Sequence, residues 1–292
     1  KENRINELVH ARAWLVDQIL RMAWQQYSWP EEAALVAVGG YGRRELHPQS
    51  DVDLLILLGN GLDASSWHRC TQEFITFIWD LGLQIGSSVR TLEDCCEQAK
   101  NDITIATSLI ESHTIIGKAD LREQAFDWVI SEQAWGNEAF YKARIESQQE
   151  RHRRTNDTEY NLEPNIKNSP GGLRDLKTIV WHGKRHFGLS NMAQLAGHNY
   201  LNKSELDTLR KSTDYLWTIR YALHLIAKRP EERLLFDHQR KLATFFGYED
   251  NEEELAVEQF MHRYYRTAMH LAELNQTLLQ LFDQGILHAH EA

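Results

Sequence analysis

The first part of the chain alternates between apolar residues at helical spacing and short, continuous apolar runs. Apolar positions three or four residues apart predict an amphipathic helix over residues 1–28. The runs Ala34–Val38 and Val52–Leu58 predict buried strands. Helical spacing returns over Ser65–Leu81, and the alternating stretch Leu81–Arg90 predicts a third strand. This order of elements is typical of an α/β domain.

Helical spacing dominates the remainder of the sequence. Besides the stretches NEAFYKARIESQQERHRR and LRDLKTIVWHGKRHF, apolar periodicity predicts helices over 203–228, 237–247 and 252–284. A chain of 292 residues has room for two domains, since one domain usually takes about 100–200 residues. We therefore expect an α/β domain over residues 1–110, followed by a mostly helical domain over residues 111–292.

Composition and charge narrow the functional classes. The contents of 42% hydrophobic and 25% charged residues are ordinary for a globular protein, and the net charge of −10 argues against a general nucleic-acid binder. Three cysteines without C-x-x-C spacing indicate neither a disulfide framework nor a zinc site. No apolar run approaches the roughly 20 residues of a membrane helix. We expect a cytoplasmic protein that binds neither nucleic acid nor a membrane.

The stretch GGYGRRELHPQSDVDLLIL carries the candidate chemistry. Gly39 and Gly40 follow a strand, where the missing Cβ atoms let backbone N–H groups approach an anion such as a triphosphate. Asp51 and Asp53 stand at strand spacing, so their carboxylates should leave the same face. Two such carboxylates repel each other, and a cation removes that cost.

Magnesium is the cation that best fits this pattern. Mg²⁺ usually binds one or two protein carboxylates together with substrate phosphates. Two ions about 3.5–4 Å apart can clamp the attacking and leaving oxygens of a phosphoryl displacement. The alternative is a glycine turn followed by incidental surface aspartates. The glycine pair, Ser50 and the D-x-D motif together, each at a strand boundary, favour the nucleotide site.

A second motif, NLEPNIKNSPGGLRDLKT, begins as a polar loop and predicts a helix capped by Ser169. Gly171 and Gly172 would each cost about 1 kcal/mol inside a helix relative to alanine, and close ligand approach would explain them. Lys167 and Arg174 flank the expected helix start, where anions are favoured. Two interpretations stand: a loop that touches phosphates or substrate, or a capped helix start with incidental charges.

The order of the glycine pair and the S-D-x-D motif resembles the nucleotidyltransferases of the DNA polymerase β type. More closely, the chain resembles the bacterial PII uridylyltransferase/uridylyl-removing family. That resemblance continues through WDLGLQIGSSVRTLEDC, YNLEPNIKNSPGGLRDLKTIVW and LNQTLLQLFDQGIL and covers nearly the whole chain. Members of the family also carry a hydrolase domain that removes UMP. This sequence contains no His-Asp dipeptide, which an HD-type hydrolase domain would carry, so we expect it to be the transferase fragment, without the removing domain.

The resemblance implies a reaction and its partners. A tyrosine of the PII signalling protein would attack the α-phosphate of UTP, and glutamine would be an effector of the full-length enzyme. Asp51 and Asp53 would be the catalytic pair and would bind magnesium, with two ions expected. The nucleotide-binding residues would be Gly39, Gly40, Arg43, Ser50, Lys167, Gly171, Gly172 and Arg174.

One position departs from the family pattern. Close relatives have a glutamate in the LGLxIG context, whereas this chain has Gln84, a poor general base and a weak magnesium ligand. Either two aspartates suffice, or Asp80 or Glu93 substitutes, or catalysis is impaired. The alternative functions are adenylylation of a protein, modification of a small molecule, and a non-catalytic nucleotide-sensing module. The residues alone do not identify the nucleotide base.

Overall fold

The computed structural model describes residues 4–155, 161–189, 194–197 and 200–287. The chain divides into two compact units, in the main Asn6–Gly136 and Asn137–Ala292. Within the part of the chain that the structure describes, no helix combines the length and apolar character needed to cross a membrane.

The helices and strands up to residue 136 form an α/β unit. In chain order they are α1 (Arg4–Trp24), β1 (Ala33–Ala37), α2 (Gly39–Gly42), β2 (Val52–Leu58), α3 (His68–Asp80), β3 (Ile85–Thr91), α4 (Leu92–Asn101), α5 (Ile103–Ile110), β4 (His113–Gly117) and α6 (Ala119–Ile130). The α/β class expected from the apolar pattern is confirmed, and the strands predicted from the two continuous apolar runs are β1 and β2.

The four strands form one mixed sheet in the order β3-β2-β1-β4. Strand β1 is antiparallel to both β2 and β4, whereas β2 and β3 run parallel. The apolar pattern did not predict β4, an edge strand with few apolar residues. Because β4 pairs with β1, the first unit extends beyond residue 110, and the predicted domain boundary falls inside it.

Side-chain alternation along β2 separates the core from the candidate site. Val52, Leu54 and Ile56 belong to a buried cluster that also contains Val16 of α1 and Phe74 of α3. Successive side chains of a strand point to opposite faces of its sheet. The side chain of residue 53 therefore leaves the face opposite to this cluster.

The second unit is helical, as the sequence predicts. Its helices are α7 (Asn137–Arg154), α8 (Leu173–Phe187), α9 (Gln194–Gly197), α10 (Lys203–Ala227), α11 (Phe236–Phe245) and α12 (Ala256–Leu287). An isolated antiparallel bridge joins Asn165 to Arg233.

Helix α8 begins later than the sequence predicts. Its N-cap is Gly172, and Ser169 caps nothing; instead the Ser169 hydroxyl accepts a hydrogen bond from the Asn165 N–H at 3.0 Å. Gly171 has a φ of +70°, which interrupts helical geometry just before the cap. A left-handed residue at this point delays the helix by a full turn relative to the expected start.

Gly171→Ala tests how tightly this helix start is packed. A Cβ at residue 171 would lie 1.9 Å from the Ala268 carbonyl oxygen, in addition to the backbone strain of its positive φ. Gly188, just after α8, has a φ of +62° but open space around its Cβ position. Since overpacking typically costs about 1–3 kcal/mol, Gly171→Ala should lose at least that much more unfolding free energy than Gly188→Ala. Equal losses in urea unfolding would refute the packing argument.

Candidate active site

The glycine turn and Asp53 lie in direct contact. Gly39 opens α2 with a φ of +60°, and a Cβ at this position would lie 3.2 Å from Asp53 Oδ2. The Val38 N–H donates to the Asp53 carbonyl oxygen at 3.0 Å, which anchors the turn to β2. By contrast, a Cβ at Gly40 would meet its nearest neighbours at 3.8 Å. The surrounding protein does not require glycine at residue 40, so close approach of a ligand remains the reason we propose for it.

A further glycine, which the sequence analysis did not single out, borders the same carboxylate. Gly86 of β3 is the register partner of Asp53 in β2. A Cβ at residue 86 would lie 2.8 Å from Asp53 Oδ1. The Asp53 carboxylate is thus bracketed by positions that lack Cβ atoms. A glycine inside a strand is a known sign of close approach, and this signal was present in the motif QIGSS.

Ser50 supplies an unsatisfied polar atom beside the aspartates. Its N–H donates to the His47 carbonyl oxygen at 3.0 Å, whereas its buried hydroxyl oxygen has no hydrogen-bond partner among the described residues. Asp51 follows it on the protein surface. A buried hydroxyl without a partner costs free energy, and a bound ligand or ion shell would relieve that cost.

No third metal-ligating side chain joins the two aspartates within the described ranges. The backbone carbonyl oxygen of Gln84 accepts a hydrogen bond from the Val52 N–H at 2.8 Å, which places Gln84 at the start of β3. The side chain of Gln84 is exposed. Glu93 lies in the first turn of α4, beyond the opposite end of β3. At about 3.3 Å per strand residue, that separation excludes Glu93 as the third ligand. Two carboxylates still fit Mg²⁺, which takes its remaining ligands from phosphates and water.

The Arg43 side chain is hydrogen-bonded to other residues of the chain. Its guanidinium donates to Glu45 at 2.9 Å, to Glu111 at 2.5 Å and to the Gly39 carbonyl oxygen at 3.4 Å. Burial by itself would lower the pKa of Arg43, but the Glu111 and Glu45 carboxylates raise it above its ordinary value. These contacts give Arg43 a positioning role in the turn, and its contact with a nucleotide stays a prediction.

A buried polar network holds the other side of the turn. The Tyr41 hydroxyl donates to Asp17 Oδ1 at 2.5 Å, and His113 Nε2 lies 3.2 Å from Asp17 Oδ2. His113 Nδ1 lies 2.8 Å from the Gly42 carbonyl oxygen. Both ring nitrogens of His113 therefore lie within hydrogen-bond distance of oxygen atoms. The network joins α1, α2 and β4 around the glycine turn.

The second predicted motif is fixed from within the helical unit. The buried Asp175 carboxylate accepts from the Gly171 N–H at 2.8 Å, from His152 Nε2 at 2.9 Å and from Arg151. The Arg174 N–H donates to the Lys167 carbonyl oxygen at 2.9 Å, which brings these two predicted residues together.

The glycine pair of this motif has a packing explanation. A Cβ at Gly172 would lie 2.8 Å from the Ser169 carbonyl oxygen, and that oxygen also accepts the Gly172 N–H. The Gly171 N–H is already held by Asp175. Neither N–H is left for a phosphate, so nucleotide contact by Gly171 and Gly172 stays a prediction that these contacts do not support.

Gly86→Ala should separate the geometry of the site from the stability of the fold. The added methyl group would displace the Asp53 carboxylate, which is a flexible side chain, so we expect a small stability loss but weakened Mg²⁺ binding. The matched control is Ser87→Ala, at the neighbouring exposed position of β3. Mg²⁺ titration followed by NMR measures the binding, and urea unfolding measures the stability. Unchanged binding in Gly86→Ala would contradict the bracketed arrangement.

Asp17→Asn should change the acid stability of the fold. Burial would raise the pKa of Asp17, but hydrogen bonds from His113 and Tyr41 outweigh it and hold the pKa below its usual range. The ionised form therefore stabilises the fold above the unfolded-state pKa of about 3.9, and this stabilisation is lost as pH falls through the folded-state pKa.

At pH 7 the variant should lose about 1–3 kcal/mol of unfolding free energy, and its stability should fall less steeply than that of the natural chain below pH 4. Asp127→Asn, at an exposed position of α6, is the control that should change neither. Parallel acid limbs for Asp17→Asn and the natural chain would argue against the network.

Comparisons with known proteins find a matching region in each of the two units. A family model described as a nucleotidyltransferase domain matches residues 18–107, and one described as GlnD PII-uridylyltransferase matches residues 139–279. The "Bifunctional uridylyltransferase/uridylyl-removing enzyme" of Pseudomonas aeruginosa is 50% identical over 97% of this chain. Proteins of the same name from Pseudomonas putida and Azotobacter vinelandii are each 48% identical, over 99% and 97% of it.

The chain spans 32% of the length of each of these relatives. Its first unit contains the matched nucleotidyltransferase region, with the mixed sheet and glycine turn described above. Its second unit contains the matched uridylyltransferase region. The chain is therefore similar, over nearly all of its own length, to a 32% portion of these bifunctional uridylyltransferase/uridylyl-removing enzymes.

Proposed function

We propose that this chain transfers UMP from UTP to a tyrosine of the PII signalling protein and releases pyrophosphate. The observation that carries the proposal is the Asp53 carboxylate, bracketed by Gly39 and Gly86 at the foot of the glycine turn. The names of the relatives and of the matched family support uridylyl transfer and PII as the acceptor. Glutamine as an effector of the longer protein and a cytoplasmic location belong to the same proposal.

The residues divide the work of the transfer. The tyrosine oxygen bonds to the α-phosphorus, the bond to the bridging oxygen breaks, pyrophosphate leaves, and the tyrosine proton passes to solvent or a nearby base. Magnesium, when bound, offsets the negative charge of the phosphates. Asp51 and Asp53 would hold it, the Gly39–Gly40 turn would cradle the triphosphate, and the Ser50 hydroxyl would satisfy a phosphate or ligand oxygen.

The second unit would add positive charge. Lys167 and Arg174 are partly exposed, and the hydrogen bond from the Arg174 N–H to the Lys167 carbonyl oxygen joins their backbones. We propose that they contact the phosphates or the incoming acceptor. Arg174 can grip two oxygens with its planar fork, which lysine cannot.

The exposed side-chain amide of Gln84 favours one alternative function, a nucleotide-sensing module. Without a third carboxylate, the site could bind Mg²⁺–nucleotide without turning it over, as a sensing module would. Incubation of the chain with PII, Mg²⁺ and each labelled nucleoside triphosphate separates the candidates. Label on PII from UTP alone supports the proposal. Label from ATP alone favours adenylylation, and saturable binding without transfer favours the sensor.

Asp53→Asn and Asp51→Asn should each abolish transfer while leaving the metal-free protein as stable as before, or slightly more so, because one of two repelling charges is removed. Mg²⁺–UTP at about 100 times its Kd should stabilise the natural chain by about 2.7 kcal/mol and neither variant. Gln84→Glu should raise activity or tighten metal binding. Asp127→Asn again serves as the exposed control. An active Asp53→Asn variant would remove the basis of the site.

A further inference from the structure

A cavity of about 510 Å³ lies within the second unit, between α7, the segment before α8, and α12. Its volume is within the range typical of small-molecule sites, about 300–1,000 Å³. It adjoins Asp175, the carboxylate that anchors Gly171. None of the residues assigned to nucleotide transfer lines it.

Two almost fully buried carboxamides line this cavity. Gln148 of α7 is 7% exposed and Asn275 of α12 is 4% exposed. Gln148 Oε1 and Asn275 Oδ1 have no hydrogen-bond partner among the described residues. Leaving such an acceptor unsatisfied costs about 1–3 kcal/mol, so the pair favours an occupant that donates hydrogen bonds.

The charged groups in the cavity wall indicate which kind of hydrogen-bond donor the occupant would carry. Asp175 already has Arg151 and His152 as partners, whereas Asp283 of α12 pairs with no cation among the described residues. Burial and the Asp283 carboxylate raise the pKa of the neighbouring Tyr141 to about 12. The Tyr141 hydroxyl donates to the Leu279 carbonyl oxygen at 2.9 Å, so its own O–H does not satisfy the amides.

The remainder of the wall is mixed, because Gln276, Gln280 and Gln284 also line the cavity. Ile145, Pro170 and Leu279 contribute carbon surface beside the polar groups. An occupant that matches the whole cavity therefore has a short apolar body and positively charged N–H donors. Ordered water would satisfy the amide oxygens but would leave the apolar surface without a matching partner.

We propose that this cavity binds a small organic ammonium ligand, whose N–H groups satisfy the Gln148 and Asn275 oxygens and the Asp283 carboxylate. The site is separate from the proposed transfer chemistry and does not depend on it. Binding there would also brace the wall formed by Pro170 and Asp175, on which the start of α8 rests.

Isothermal titration calorimetry with 1,4-diaminobutane tests the proposal, since this probe carries an ammonium at each end of a short apolar chain. The matched probe is 1,4-butanediol, which has the same length but no charge. We expect saturable 1:1 binding of the diamine and at least tenfold weaker binding of the diol. Asp283→Asn and Gln148→Leu should each weaken diamine binding at least tenfold.

Glu273→Gln is the control variant, since it removes the same charge from an exposed position of α12 that does not line the cavity. It should bind the diamine as the natural chain does. Three results would each overturn the proposal: equal affinity for diamine and diol, equal weakening by Glu273→Gln and Asp283→Asn, or no saturable heat with either probe, which would mean that the cavity holds water alone. Asp283→Asn keeps the test decisive if Gln148→Leu does not fold.

Discussion

The contact between the Asp53 carboxylate and two glycines is the constraint on which the candidate site depends. Strand β2 pairs with both β1 and β3, so Asp53 cannot move along the sheet without breaking two ladders. Gly39 and Gly86 leave space on either side of its carboxylate, where a single methyl group would collide. The left-handed turn at Gly39 and the carboxylate are therefore positioned together, which suits a site that must hold phosphates and their counter-ion at a fixed separation.

Buried charged groups around the glycine turn hold it in place. Arg43 joins Glu45 and Glu111 and reaches the Gly39 carbonyl oxygen, while Tyr41 and His113 compensate the buried Asp17 carboxylate. A buried charge is tolerated when it is paired and hydrogen-bonded. These pairs tie α2 to α1, to β4 and to the end of α5, and the turn is held from several directions. Supporting contacts of this kind keep the backbone of a functional site rigid without touching the substrate.

Local sequence patterns predicted the strands and motifs that depend on residues close together in the chain. The continuous apolar runs predicted β1 and β2, and the glycine pair with the D-x-D motif indicated a candidate site in which the structure brings Gly39 and Asp53 into contact. Contacts between distant residues were not predictable: Tyr41 and Asp17 are separated by 24 positions, and His113 and Asp17 by 96. Gly171 illustrates the limit most clearly, because its need for glycine comes from the Ala268 backbone of α12, far along the chain. Edge strand β4 likewise depends on pairing with β1 rather than on its own apolar content.

The central claim is that the metal sits between the glycine turn and β3, held by Asp51 and Asp53. Paramagnetic broadening of backbone amide NMR signals by Mn²⁺ in the presence of UTP locates the ion without requiring turnover. The account predicts that the amides of Gly39, Gly40 and Gly86 broaden at the lowest Mn²⁺ concentration, ahead of those near Asp175 and Asp283. Broadening centred on any other group of carboxylates, with these three glycine signals unaffected, would contradict it.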